Sequence, residues 1–245
     1  MRDSYRTASG GGLALAWGVH VLTASGVALA LLAIDAVFRA NYREALLWLL
    51  AAFAVDGIDG TLARRAMVKE RTPRIDGGAL DLVIDYLTYV VIPALIIWRI
   101  GVLPDATALP LAAAILMSSL YVFARRDMKT DDGYFRGFPA LWNVLALYFV
   151  VAPPLPGLAV TIVALLIVLT FAPVHVVHPF RASAHGRWLP ATAILWAASS
   201  AALLMPGIQP TMAIALLAVS LGAAALLVAV GLLRTLRGEP ATQPS

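Results

Sequence analysis

Apolar runs of bilayer-spanning length recur almost from end to end of this 245-residue chain, and no other property constrains its fold as strongly. A hydrocarbon core of about 30 Å is crossed by roughly 20 helical residues. Inside that core the backbone finds no water, so every N–H and C=O must be satisfied within the segment, which favours helices. The short alternating segments of a transmembrane barrel are absent from the sequence. Composition agrees, with 61% hydrophobic residues, 13% charged residues and a mean hydropathy of +0.85. The expected fold class is all-α, a polytopic transmembrane helical bundle.

Eight spans are expected, at roughly 13–37, 45–63, 78–98, 107–124, 138–153, 157–177, 189–205 and 211–233. Leu189–Met205 and Thr211–Leu233 contain no charged residue, whereas the fifth span is short and ends at Pro153-Pro154. Turn signals at Pro154–Gly157 and at Pro206-Gly207, with Pro210 close behind, separate the later spans. Lysine and arginine placement tests the count. With both termini on the cytoplasmic side, all of the 18 Lys and Arg residues except Arg39, Arg43 and Arg99 fall inside. An error of one helix would scramble that alternation.

Arg2 and Arg6 ahead of an apolar run resemble the start of a signal peptide, but Leu13–Ile34 exceeds the usual signal core and reads as a retained helix. The chain has no cysteine, so neither a disulfide framework nor a thiolate metal site exists. The net charge of +4 and pI of about 9.7 fit basic loops beside anionic headgroups rather than nucleic acid. Residues 1–237 read as one transmembrane catalytic domain, and 238–245, polar and proline-rich, as a disordered cytoplasmic tail.

One stretch breaks the apolar monotony. Asp56-Gly57-Ile58-Asp59-Gly60-Thr61-Leu62-Ala63-Arg64 is followed by Gly77-Gly78-Ala79-Leu80-Asp81-Leu82-Val83-Ile84-Asp85. Ionisable groups inside a span cost roughly 2.5–3.5 kcal/mol each, so four carboxylates cost on the order of 10 kcal/mol unless water or cations compensate them. Asp56, Asp59, Gly60 and Ala63 share one helix face, and Gly77, Asp81 and Asp85, four residues apart, share a face of the next. The two helices are antiparallel neighbours, so both acidic faces converge toward one leaflet. Clustered carboxylates without His or Cys are hard oxygen ligands suited to Mg²⁺ or Mn²⁺. A single intramembrane aspartate is often a helix-pairing or proton-relay residue, and Asp35 reads so. Four at this spacing, with small residues on the same face, do not.

This pattern resembles the CDP-alcohol phosphotransferase signature, D-x2-D-G-x2-A-R, a spacer, then G-x3-D-x3-D. Asp56, Asp59, Gly60, Ala63, Arg64, Gly77, Asp81 and Asp85 match every fixed position. The resemblance implies a six-helix catalytic core with two further closing helices. It also implies that Asp56, Asp59, Asp81 and Asp85 surround two divalent metal ions, Mn²⁺ or Mg²⁺, which hold a CDP pyrophosphate. Asp85 would be the catalytic base on the acceptor hydroxyl. Gly60, Ala63, Arg64 and Gly77 would border the CDP moiety.

The spacer between Arg64 and Gly77 is longer than in most of the family, with Lys69, Glu70, Pro73 and Arg74 inside it. That spacer, together with Asp85–Val90, Phe138–Asn143 and Pro173–Pro179, resembles the phosphatidylcholine synthase branch found in bacteria. The resemblance implies transfer of a phosphatidyl group from CDP-diacylglycerol to choline, with CMP leaving, in the bacterial inner (cytoplasmic) membrane. Partners would be CDP-diacylglycerol, choline and membrane lipids, with no nucleic acid; a homodimer stays open. Serine, glycerol 3-phosphate and inositol phosphate remain alternative acceptors. A quaternary ammonium is recognised by aromatic faces, and Tyr86, Tyr89, Phe138 and Trp142, with Asn143, form the expected choline-binding set.

Other features have a plainer reading beside the sharp one. His175 and His178, read as i, i+3 at a helix end with His185 beyond, look like half a metal site. They lack an adjacent carboxylate pair, which favours interfacial packing or headgroup contact. Arg125, Arg126 and Arg136 flank the polar loop Asp127–Asp132 and read chiefly as inside anchors around a solvated segment, with one arginine left to reach a lipid-linked phosphate. Trp98 and Trp188 read as interface anchors. An ion-coupled transporter is the rival from another class. It requires helices broken near the midplane and an inverted repeat, and the sequence offers neither.

Overall fold

The computed structural model describes residues 10–182 and 186–238. Arg2, Arg6, His185 and the tail beyond Gly238 lie outside the described residues. Helix α1 (Gly10–Phe38) turns at Ala40 into α2 (Tyr42–Arg65), where the Asn41 side chain accepts a hydrogen bond from the Glu44 amide. A one-turn α3 (Val68–Arg71) leads to α4 (Gly77–Asp85), whose first turn is capped by the Asp76 carboxylate accepting from the Gly78 and Ala79 amides. A π-helical turn, Tyr86–Val91, joins α4 to α5 (Ile92–Arg99), so Gly77–Arg99 forms one continuous rod. Then follow α6 (Asp105–Ala124), α7 (Trp142–Val151), α8 (Pro156–Leu169), α9 (Trp188–Leu204) and α10 (Pro210–Arg237). Pro156 and Pro210 stand in the first turn of their helices, where no amide partner is lost.

Five of these rods, Gly11–Phe38, Tyr42–Arg65, Gly77–Arg99, Asp105–Ala124 and Pro210–Arg237, are long and apolar enough to cross a membrane. The protein is a helical membrane bundle. Leu15, Leu31, Phe38, Met117, Ile214 and Leu236 point outward and are exposed, as expected where the surrounding solvent is lipid. Helices α1 and α2 pack closely because the buried face of α1 is built from Ala16, Ala30, Ala33 and Ala36. The central core gathers Leu46, Ile92, Ile96, Ile97, Ile115, Trp142 and Leu147.

Two expected spans are cut short. The expected helix over 138–153 begins only at Trp142, because Gly137 (φ +81°) and Ala140 (φ +57°) take left-handed conformations and turn the chain first. The expected helix over 157–177 ends at Leu169, since Pro173 cannot continue it and the chain leaves as strand β2 (His175–Val177). His175 and His178 therefore do not share a helix end, as the spacing suggested.

The polar segment after α6 is likewise ordered. Strand β1 (Tyr134–Arg136) pairs antiparallel with β2, matching Tyr134 to Val177, Phe135 to Val176 and Arg136 to His175. A bridge from Lys129 to Phe135 extends the ribbon. The last helix clamps this flap. The Thr235 hydroxyl accepts a hydrogen bond from the His175 amide at 2.7 Å, and Arg234 pairs with Asp132 at 2.7 Å while lying over the Tyr134 ring. Gly231 allows the approach, because a Cβ there would run into the His175 carbonyl oxygen.

Candidate active site

Helix α2 presents Asp56 and Asp59 and α4 presents Asp81 and Asp85, so that the two acidic faces meet. Carboxylate oxygens of Asp56, Asp81 and Asp85 lie within 4.8 Å of one another, each residue partly buried. Such a triad of hard oxygen donors fits a divalent metal ion by the chemistry of its ligands. Asp59 is buried beside them, and its carboxylate accepts a 2.6 Å hydrogen bond from the Thr23 hydroxyl of α1. A narrow cleft among α1, α2 and α4 is lined by these four aspartates with Thr23 and Thr88.

Other hydroxyls and rings fix this geometry. Tyr89, on the π-helical turn, donates its hydroxyl to Asp56 at 2.8 Å and packs edge-on against Phe53. The wider π turn comes directly after Asp85, a placement common at functional sites. Tyr86 donates its hydroxyl to the Leu116 carbonyl and meets Phe123 edge-on at 5.4 Å, which latches the end of α6 beside Asp85.

The remaining signature residues do not line that cleft themselves but sit on the same helices. Gly60 faces Arg64, whose exposed guanidinium donates to the Thr61 hydroxyl at 3.1 Å. Ala63 packs with Leu62 against Ala16, Val19, Ala66 and Val68. Gly77 lies against the His20 ring, which in turn bonds the Thr72 hydroxyl at 2.8 Å. Phe138 and Trp142 meet edge-on at 5.0 Å. The Trp142 indole is fully buried, donating to Ser119 at 2.8 Å, while Asn143 is half-buried and bonds its neighbouring amide.

The basic residues sort themselves by partner. Arg125 grips Asp127 through two hydrogen bonds of 3.0 and 2.9 Å, and Arg136 donates to the Asp127 carbonyl. The Asp127 partnership raises the Arg125 pKa and lowers that of Asp127. At the opposite end of the bundle, Arg39 pairs with Asp35 and Glu44, so Asp35 belongs to an exposed loop network. The sequence reading did not single out Thr23 or Lys129. Thr23 is one hydroxyl in an apolar helix, and Lys129 sits in a loop whose pairing is set by residues far along the chain.

No model of a known protein family matches the chain. Among curated proteins, it is 46% identical over 224 residues to a phosphatidylcholine synthase of Pseudomonas aeruginosa, covering 91% of this chain and 93% of that protein. It is 45% identical over 188 residues to a phosphatidylcholine synthase of Bradyrhizobium diazoefficiens, covering 76% of this chain and 70% of that protein. A phosphatidylcholine synthase of Borreliella burgdorferi is 36% identical over 169 residues, covering 69% of this chain and 72% of that protein.

Proposed function

The chain belongs to the phosphatidylcholine synthase family, and on that premise we propose that it transfers the phosphatidyl group of CDP-diacylglycerol to choline and releases CMP. The observation that carries this reading is the meeting of Asp56, Asp81 and Asp85 in the half of the membrane bundle nearer the connection from α2 to α4. A soluble alcohol and a lipid-anchored nucleotide can both reach such a place. Purified protein given CDP-diacylglycerol should release CMP on addition of choline together with a divalent cation. Choline-independent CMP release would count against the reading.

Asp56, Asp59, Asp81 and Asp85 would hold the metal, two ions in this proposal. A divalent ion there supplies charge neutralisation to the pyrophosphate and polarises the phosphorus under attack. The protein's own part is position and proton handling. Asp85 receives the choline proton as the hydroxyl oxygen closes on phosphorus. Tyr89 orients Asp56, and Thr23 orients Asp59. Gly60, Ala63, Arg64 and Gly77 border the nucleotide. The membrane is the bacterial inner membrane, with both termini in the cytoplasm, an orientation supported by the basic loops flanking the aspartate end.

Choline's ammonium offers no hydrogen-bond donor and is received by aromatic faces, each contributing roughly 0.5–2 kcal/mol. Tyr86 and Tyr89 stand nearest the aspartates, with Phe138 and Asn143 completing the proposed wall, while Trp142, expected there too, is fully buried and only backs Phe138. Two substitutions at Tyr89 separate its ring from its hydroxyl. Tyr89→Ala should raise the choline KM about tenfold. Tyr89→Phe should keep that KM and lower turnover, because only the bond to Asp56 is lost. Equal choline KM values in both variants and the wild type would remove Tyr89 from the choline site.

A further inference from the structure

Three of the basic side chains on and around the flap are paired with carboxylates: Arg125 and Arg136 share Asp127, and Arg234 has Asp132. Lys129 and Arg181 differ. Neither forms an ion pair among the described residues. The flap holds the two cations near each other all the same. Lys129 pairs with Phe135 across the ribbon and lays its ammonium 5.6 Å from that ring. Phe135 stacks on His178 at 5.4 Å with the rings only 15° apart. Arg181 follows in the turn after His178, its amide donating to the His178 carbonyl.

The Lys129 ammonium also lies in the field of Asp85, Asp81 and Asp56. Burial first, and then the nearby Arg181 charge, lower the Lys129 pKa, while the three aspartates oppose the shift. Burial together with Arg181 and Lys129 also lowers the His178 pKa to about 4, so that ring is neutral at physiological pH. Its Nδ1 is buried and has no hydrogen-bond partner among the described residues. Both cations are exposed on the flap. Two like charges without an ion-pair partner among the described residues, beside a buried ring nitrogen, make a surface that attracts an anion.

We propose that Lys129 and Arg181 form a phosphate-binding pair above the aspartates, which grips the pyrophosphate of CDP-diacylglycerol and keeps hold of CMP as it departs. The inference rests on the transferase reading above. In that reaction the choline oxygen bonds to the lipid-side phosphorus and its proton passes to Asp85. The bond from that phosphorus to the bridging oxygen breaks, and the bridging oxygen leaves on CMP with the extra negative charge. The aspartates would hold a divalent ion whose charge neutralises the phosphates, and the flap cations would meet the charge that grows on the leaving group. Lys129, rather than Arg125 or Arg136, is then the loop cation that reaches phosphate.

The test is binding as well as rate. In the full-length purified protein with Mn²⁺, Lys129→Met and Arg181→Met should each weaken CMP affinity about tenfold, the loss of one hydrogen bond to a charged group. The CDP-diacylglycerol KM should rise in parallel while the choline KM stays put, and Lys129→Arg should restore CMP affinity. Thermal unfolding of each variant reports whether the flap has survived. Its integrity with unchanged CMP affinity would overturn the proposal, as would a shift confined to the choline KM. Nanodiscs of anionic and of zwitterionic lipid separate the two sources of phosphate. Variants that lose only the preference for anionic lipid would make the pair a headgroup anchor and refute the nucleotide role. A wild-type protein that fails to release CMP with choline sinks the parent reading. One that succeeds, with variants that still bind CMP normally, sinks only this inference.

Discussion

Asp81→Asn is expected to lower phosphatidyl transfer by about 10³-fold or more, the scale seen when a group that stabilises transition-state charge is removed. The side chain keeps its shape and loses one charge and one hard oxygen donor from a triad whose oxygens lie within 4.8 Å of one another. Its effect on the fold should run the other way. Three like charges this close repel one another, so neutralising one relieves the metal-free protein. Thermal unfolding without metal should therefore stay level or move up while activity collapses. A residue kept only for packing would give the opposite pair of results. Chelation should reproduce the loss in the wild type and reverse on adding Mn²⁺ or Mg²⁺. Full activity in excess chelator would end the metal proposal.

Asp85→Asn separates two roles for the aspartate that closes the motif. If Asp85 takes the acceptor's proton, turnover should fall by about 10²–10⁴-fold, the range for a positioned general base. The KM for CDP-diacylglycerol should change little. A matching loss in substrate affinity would instead make Asp85 chiefly a ligand of the cation. The pH profile supplies a second readout, since loss of the base should flatten the acid limb of the rate curve. An unchanged profile with unchanged turnover would remove Asp85 from the chemistry altogether.

The membrane-spanning rods were legible because twenty-residue apolar runs leave few other options. The aspartates stood out because a charge in such a run demands compensation. Three things were not legible, for related reasons. The π turn at Tyr86–Val91 lies in an unbroken apolar helix, where a one-residue change in pitch leaves no mark on composition. In the sequence the flap has the pattern of a helix end on one side and of a solvated loop on the other. Its strands are three residues each, and they are stabilised by pairing across about forty residues and by the last helix. The partners of the aspartates, Thr23 and Tyr89, come from other elements. Tyr89, a residue of the expected choline-binding set, also bonds Asp56 through its hydroxyl. Trp142 was expected at a substrate surface, and its complete burial makes its truncation a test of the fold as much as of the acceptor.

The acceptor is the claim on which the functional reading turns. The most direct measurement supplies the purified protein with CDP-diacylglycerol, divalent cation and an equimolar mixture of labelled choline, serine and glycerol 3-phosphate, and identifies the lipid that carries label. The account predicts labelled phosphatidylcholine, formed in step with CMP. Label entering phosphatidylserine or a phosphatidylglycerol phosphate in preference would contradict it.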